Sequence, residues 1–312
     1  MSDAPVTPAR DLLTQLEPAA EQLVNRHLGM AQEWFPHDYI PYSMGRDFDK
    51  EPWTPDQPRI SGVAQIAFEV NLLTEDNLPS YHREIHRMFG GGDGPWMFWV
   101  NRWTAEEGRH AIVLRDYLVV TRNIDPYALE RSRMNQLQIA YNHDDEGNVL
   151  RGFAYVAFQE LATRISHRNT GRYSSDPVAD KIMARIAADE NLHMVFYRDL
   201  LGEAFKVDPS AAVIAIADEI MAFEMPGAGM ENFTRKAAQM AKAGIYDLRI
   251  HHDEVIWPLL RHWGVFEAEN LSPAAELRRE ELRGFLAKLD AQASRFEARR
   301  AQTVEREIVR AG

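Results

Sequence analysis

The feature that most restricts this chain is a pattern written twice. "AEEGRHAIVLRDYL" at Ala105–Leu118 and "ADENLHMVFYRDLL" at Ala188–Leu201 both run Ala, acid, Glu, x, x, His, with Arg-Asp following at the same distance. Each copy sits in a long stretch of helical spacing. Glu107 with His110, and Glu190 with His193, stand at i and i+3, which on a helix is one face. A single E-x-x-H says little, because most such pairs are solvated. Two copies with matching tails are either a repeat of the surface or a pair with one purpose, in which each grips one metal ion from one helix.

A di-metal site in a four-helix bundle also takes one carboxylate from each of the two other helices. Glu75 and Glu160 precede the two pairs by nearly equal intervals. If the helix bearing Glu75 runs on to the glycines of "GGGDG", rises of ~22 Å out and ~20 Å back bring Glu75 and Glu107 to one level of an antiparallel hairpin. The same count through Ser174 and Pro177 levels Glu160 with Glu190. The neighbours are apolar or aromatic: Phe98, Trp99, Trp103, Ile112, Phe158, Ile186, Val195 and Phe196. Four carboxylates buried there without counter-charge are untenable, whereas two divalent ions neutralise them. An oxygen-rich set with two imidazoles suits two irons, with manganese as a substitute, over zinc or copper.

The rest of the chain also reads as helical. Helices are expected over about 61–90, 95–123, 152–172, 177–205, 209–223 and 233–243, after a first one that stops near Pro36. "PHDYIPYSMGRDFDKEPWTPDQPR" is a Pro-rich aromatic loop. Strict alternation of β-branched residues is scarce, so no sheet is expected. From Pro273 to Arg310, Leu282, Leu289 and Phe296 recur in heptad steps with Leu286 and Ala293 between, a stripe to pack on the body or on a partner subunit. No composition shift marks a boundary. The expected fold is all-α: a ferritin-like four-helix bundle core carrying the metal site, with flanking helices, as one domain over 1–312. Within it, 1–60 is the N-terminal helix and aromatic segment, 61–205 the metal-binding bundle, and 206–312 the additional and C-terminal helices.

Composition removes whole classes of function. The chain has no cysteine, which excludes disulfides, thiol nucleophiles and protein-bound iron–sulfur clusters, so redox electrons must come from a partner. A net charge of −12 argues against nucleic-acid binding. No run is long and apolar enough for a membrane span, and no targeting segment opens the chain, so a cytoplasmic location is expected. Neither GxGxxG nor GxxxxGK[ST] occurs. "HHDE" at His251–Glu254 matches no ligand spacing and is expected at the surface.

The segments "HLGMAQEWFPHDYIPY", "LTEDNLPSY", "WTAEEGRH", "GFAYVAFQELATRISHRNTGR", "IAADENLH" and "AKAGIYDLRIHHDEVIWPLLRHWGV" together resemble the soluble acyl-acyl-carrier-protein desaturases, from about Gln22 to Val265. The resemblance implies a homodimer of helical subunits with a diiron centre that places a cis double bond in a saturated chain held on acyl carrier protein, with a ferredoxin-type electron donor. Carried across by position, the iron ligands are Glu75, Glu107, His110, Glu160, Glu190 and His193, the six that spacing selects. Thr163 resembles the family's threonine beside the oxygen site, and Trp34, Asp189 and His110 resemble a route for electrons. Gly152 and Phe153 resemble positions near the closed end of the acyl slot. Glu84 and Arg87 replace less charged residues of the plastid enzymes near that slot. An acidic carrier needs a basic edge, and Arg164, Arg168 and Arg172, with His167 beside them, supply a candidate.

Other readings use the same ligands. They are a diiron oxidase or hydroxylase of another acyl substrate, a ferritin-like iron-binding protein, and a bundle kept only to bind the carrier. A radical-generating reductase subunit would want tyrosine where Leu114 stands.

Overall fold

A computed structural model describes residues 8–89, 93–139, 147–225 and 227–311. Among these the regular structure is helical and no strand occurs. The elements are α1 (Pro8–Met30), α2 (Gly62–Glu75), α3 (Leu78–Met88), α4 (Pro95–Val120), α5 (Pro126–Ile139), α6 (Val149–Ser174), α7 (Pro177–Val207), α8 (Pro209–Ala222), α9 (Phe233–Lys242), α10 (Leu248–Ile250), α11 (Trp257–Trp263) and α12 (Pro273–Ala311), with a π-helical turn at His251–Ile256 between α10 and α11.

Four of these form a square: α2 packs on α4, α4 on α7, α7 on α6 and α6 on α2. The α6–α7 edge is the longest, and its turn is written in the sequence. Ser175 takes a left-handed conformation at φ 56°, and the Asp176 carboxylate caps α7 by accepting from the backbone N–H of Val178 (2.8 Å) and Ala179 (2.9 Å). Helix α1 lies across α4 and α7, and α8 packs between α6 and α12. The α12 stripe belongs to the body of the protein: Leu282, Leu286 and Leu289 are buried in the same apolar cluster as Trp99, Phe158 and Ile216.

The helix expected over 61–90 is two helices. It breaks at Asp76–Asn77, directly after Glu75. Pro79 cannot donate the N–H that would continue the ladder to the Glu75 carbonyl, and the Asp76 carboxylate turns out to pair with Arg133 on α5. The levelling of Glu75 with Glu107 therefore does not come from one straight hairpin, and Gly90–Gly92 of its expected turn lie outside the described residues. Glu75 reaches its level because α2 packs directly on α4. Helix α5, unforeseen from the sequence, starts where Asp125 accepts from the N–H of Tyr127 (2.9 Å) and Ala128 (3.2 Å). The "HHDE" segment forms the π-turn and is surface only in part: Asp253 and Glu254 are exposed, but His252 is buried, His251 is half-buried, and Trp257 donates to His252 Nε2 at 2.9 Å.

Candidate metal centre

Glu75 ends α2, Glu107 and His110 sit mid-way along α4, Glu160 on α6, and Glu190 and His193 on α7. None of the six is more than 6% exposed. Their donor atoms fall into two overlapping groups, Glu75–Glu107–His110–Glu190 and Glu107–Glu160–Glu190–His193, each with its atoms within 4.8 Å of one another. Glu107 and Glu190 belong to both. Glu107 faces His110 Nδ1 with Oε2 (3.2 Å) and His193 Nδ1 with Oε1 (2.7 Å). Glu75 lies 3.5 Å from His110 Nδ1 and Glu160 3.6 Å from His193 Nδ1. The pattern is two shared carboxylates and two terminal ones.

The charges resist this arrangement when nothing else is present. Burial raises the Glu107 carboxyl, and Glu190 beside it adds to the rise; Glu160 is driven well above the usual carboxylate range by burial and then by Glu190 and Glu107. Burial opposes charge on His110 and His193 as well, yet Glu107 and the surrounding carboxylates hold both imidazoles well above their ordinary value. Glu107 Oε1, Glu160 Oε2 and His193 Nδ1 are buried with no hydrogen-bond partner although they face one another. Three orphaned buried atoms turned toward one point, within a cluster of four carboxylates and two imidazoles, fit a pair of divalent cations.

Around the six stands a supporting layer. Trp103 Nε1–H donates to Glu160 Oε1 (3.0 Å), and Thr163 Oγ1 reaches Glu190 Oε2 (2.8 Å) as well as the carbonyls of Gln159 and Glu160 (both 3.1 Å). The expected Trp34, Asp189 and His110 are contiguous: Trp34 Nε1–H donates to Asp189 Oδ2 (2.7 Å), which lies 3.4 Å from His110 Nε2. The Trp34 ring also stacks on His110, centroids 6.3 Å apart and planes 12° apart.

Sequence reasoning missed two side chains here. Glu106 Oε2 lies 3.0 Å from His193 Nε2 and 2.9 Å from His27 Nε2. Its signal was the repeat itself, since Glu106 and Asp189 are the acids at the same position of the two copies. His167, read as part of a docking edge, is instead buried, with Nε2 2.7 Å from Glu75 Oε1. It lies seven residues, about two turns, beyond Glu160 and so shares that residue's face. Phe98 and Ile112, read as neighbours of the cluster, are 48% and 52% exposed and face outward from α4.

A cavity of about 160 Å³ opens onto Glu75, Thr163 and His167, with walls from Val70, Met225, Phe233, Ala237, Met240 and Tyr246. Gly227 closes one side against the Phe233 ring, where an added Cβ would meet Cε2 at 2.7 Å. Gly152 and Phe153 do not line it. Both are buried, and the Phe153 ring stacks on Trp96 with centroids 6.5 Å apart. Glu84 is buried under Arg83 (3.0 Å) and Arg87 (3.1 Å) on α3, also away from the cavity. Arg164, Arg168 and Arg172 share a separate groove of about 540 Å³ on the other side of α6, facing Asn191 and Glu254. Arg168 is paired with Asp180, while Arg164 and Arg172 are exposed.

Known proteins match this arrangement over nearly the whole chain. The family model described as fatty acid desaturase matches residues 9–311. The DesA1 protein of Mycobacterium tuberculosis H37Rv, whose name places it among the acyl-acyl-carrier-protein desaturases, is 48% identical over 306 residues, covering 95% of this chain and 90% of that one. The chloroplastic stearoyl-acyl-carrier-protein 9-desaturase 3 of Arabidopsis thaliana is 29% identical, covering 93% of this chain and 76% of that one. Among solved structures, DesA2 of M. tuberculosis H37Rv superposes with a TM-score of 0.69 at 29% identity, over 86% of this chain and 99% of that one. The helical square, its buried acid–histidine groups and the extent of these matches lead to one conclusion: the chain belongs to the fatty acid desaturase family, among the acyl-acyl-carrier-protein desaturases.

Proposed function

We propose that this enzyme introduces a cis double bond into a saturated acyl chain carried on acyl carrier protein, using two irons held by Glu75, Glu107, His110, Glu160, Glu190 and His193. The observation that carries the proposal is the apolar cavity that ends on Glu75 and Thr163. A methylene chain lying there has no acidic proton to offer, so side-chain acid–base chemistry alone cannot act on it. Iron bound at the cluster supplies the activation of O2 that such C–H bonds require. The balance is two hydrogens from adjacent methylenes, one O2, two external electrons and two protons, giving the alkene and two waters.

The protein's own residues have separate tasks. Val70, Phe233 and Met240 hold the chain and keep bulk water from it. Thr163, within hydrogen-bond reach of Glu190, is in position to pass a proton at the cavity's end. Trp34 and Asp189 form a buried chain to His110 that suits passage of electrons from a ferredoxin-type donor. The groove of Arg164, Arg168 and Arg172 offers positive charge to an acidic carrier. We read the working form as a homodimer, with Gly152 and Phe153 acting in the packing behind the slot.

The test is to incubate iron-loaded protein with stearoyl- and palmitoyl-acyl carrier protein, O2 and a ferredoxin reducing system, and to analyse the released acids by mass spectrometry. A product lighter by two hydrogens supports desaturation and locates the bond. A product heavier by one oxygen means hydroxylation at the same centre. Iron uptake with no acyl product favours storage.

A further inference from the structure

The two copies of the repeat brace each other's histidine, and the bracing is nearly twofold. Asp189 in the second copy holds His110 of the first; Glu106 in the first copy holds His193 of the second. Each acid also takes an arginine one turn earlier on its own helix, Arg185 for Asp189 and Arg102 for Glu106. Each then has an outer aromatic partner from α1 or the segment after it. Trp34 donates to Asp189, and His27 Nε2 meets Glu106 Oε2. Both outer rings stack on the histidine they serve: His27 lies 5.8 Å from His193 with planes 24° apart.

We propose that Glu106 and His27 are positioning residues for His193, the counterpart of Asp189 and Trp34 at His110. This rests on the metal reading above. With Nε2 held by Glu106, His193 presents Nδ1 to Glu107 and Glu160 as the atom that would ligate the ion. Trp99 closes the cage by meeting both rings edge-on, at 5.0 Å from His27 and 6.1 Å from His193. Glu106 is therefore devoted to one ion and Asp189 to the other, because each touches the histidine of only one donor group.

The experiment loads wild type, Glu106→Gln, His27→Gln and Asp189→Asn with ⁵⁷Fe, follows release of each ion to a chelator, and records Mössbauer spectra of what remains. Loss of an outer partner of a ligand histidine commonly costs about 10–100-fold in metal affinity. Glu106→Gln is expected to release one ion about 10–100-fold sooner while the other stays. Asp189→Asn should release the complementary ion, and His27→Gln should act on the same ion as Glu106→Gln, more weakly. A merely structural role would instead lower the melting temperature of the metal-free protein and loosen both ions together; that result overturns the proposal. Wild-type release of both ions from Glu106→Gln overturns it as well. If Glu106→Gln does not fold, wild-type release from His27→Gln does the same. Wild-type protein that takes up no iron would overturn both this assignment and the metal reading.

Discussion

Gly171 on α6 stands so close to Met183 on α7 that a Cβ placed on it would lie 2.8 Å from the Met183 Cβ and 3.2 Å from the Asp180 Cα. Alanine ordinarily gains about 1 kcal/mol over glycine inside a helix. Here the added methyl meets backbone that cannot swing aside, and overpacking of this kind costs about 1–3 kcal/mol. Gly171→Ala should therefore lower the stability of the metal-free protein, read from the midpoint of a denaturant titration. Because α6 and α7 together carry Glu160, Glu190 and His193, iron affinity should fall with it.

Thr163→Val keeps the shape of the side chain and removes the hydroxyl that reaches Glu190. Two irons should still bind. Product formation should drop by roughly 10²-fold, the scale of a lost proton-transfer group. Equal rates in the two proteins would leave the hydroxyl with only its helix carbonyl bonds.

Filling the cavity tests the acyl slot independently of the metal. Ala237→Phe projects a ring into the space bounded by Val70 and Met240. Turnover of long acyl chains should fall at least about tenfold, with iron content and melting temperature close to wild type. A shorter acyl chain should recover part of the rate.

Much of the site was legible in the sequence because it depends on spacing along helices. The repeat fixes the depth of four ligands, and the same repeat marks Glu106. Position around a helix was legible too, and ignoring it misplaced Ile112: two residues past His110 is about 200° around the axis, away from the cluster. Pro79 announced the break after Glu75. The cavity was not legible, because its walls come from α2, α6, α9 and the segment around Met225, brought together only by tertiary packing. Nor was the turn of His251, which depends on a π-helical insertion that no side-chain period records.

That histidine gives a pH-dependent term. Burial, and then the charge of His252, pushes His251 down to about 4, below the ~6.5 of an unfolded histidine. Its neutral Nδ1 accepts from the Tyr246 hydroxyl at 2.9 Å. Between these two values the unfolded chain binds the proton and the folded one does not. The contribution is thus fully present above about pH 6.5 and is lost as pH falls toward 4, by at most about 3 kcal/mol. Melting of metal-free protein at pH 7 and pH 5 should show the decline, and His251→Asn should flatten it. An identical slope in the variant would assign the pH response to other groups.

The crossed bonds of Glu106 to His193 and Asp189 to His110 span 87 and 79 residues of chain. Neither repeat can therefore keep its own histidine in place while the other frays. Opening α4 from the square releases both imidazoles, and so does opening α7. Partial unfolding of this region is thereby penalised twice, which ties the two helices into a single cooperative unit. Amide hydrogens on α4 and α7 should exchange with one common opening energy, so that the centre is assembled all at once or not at all.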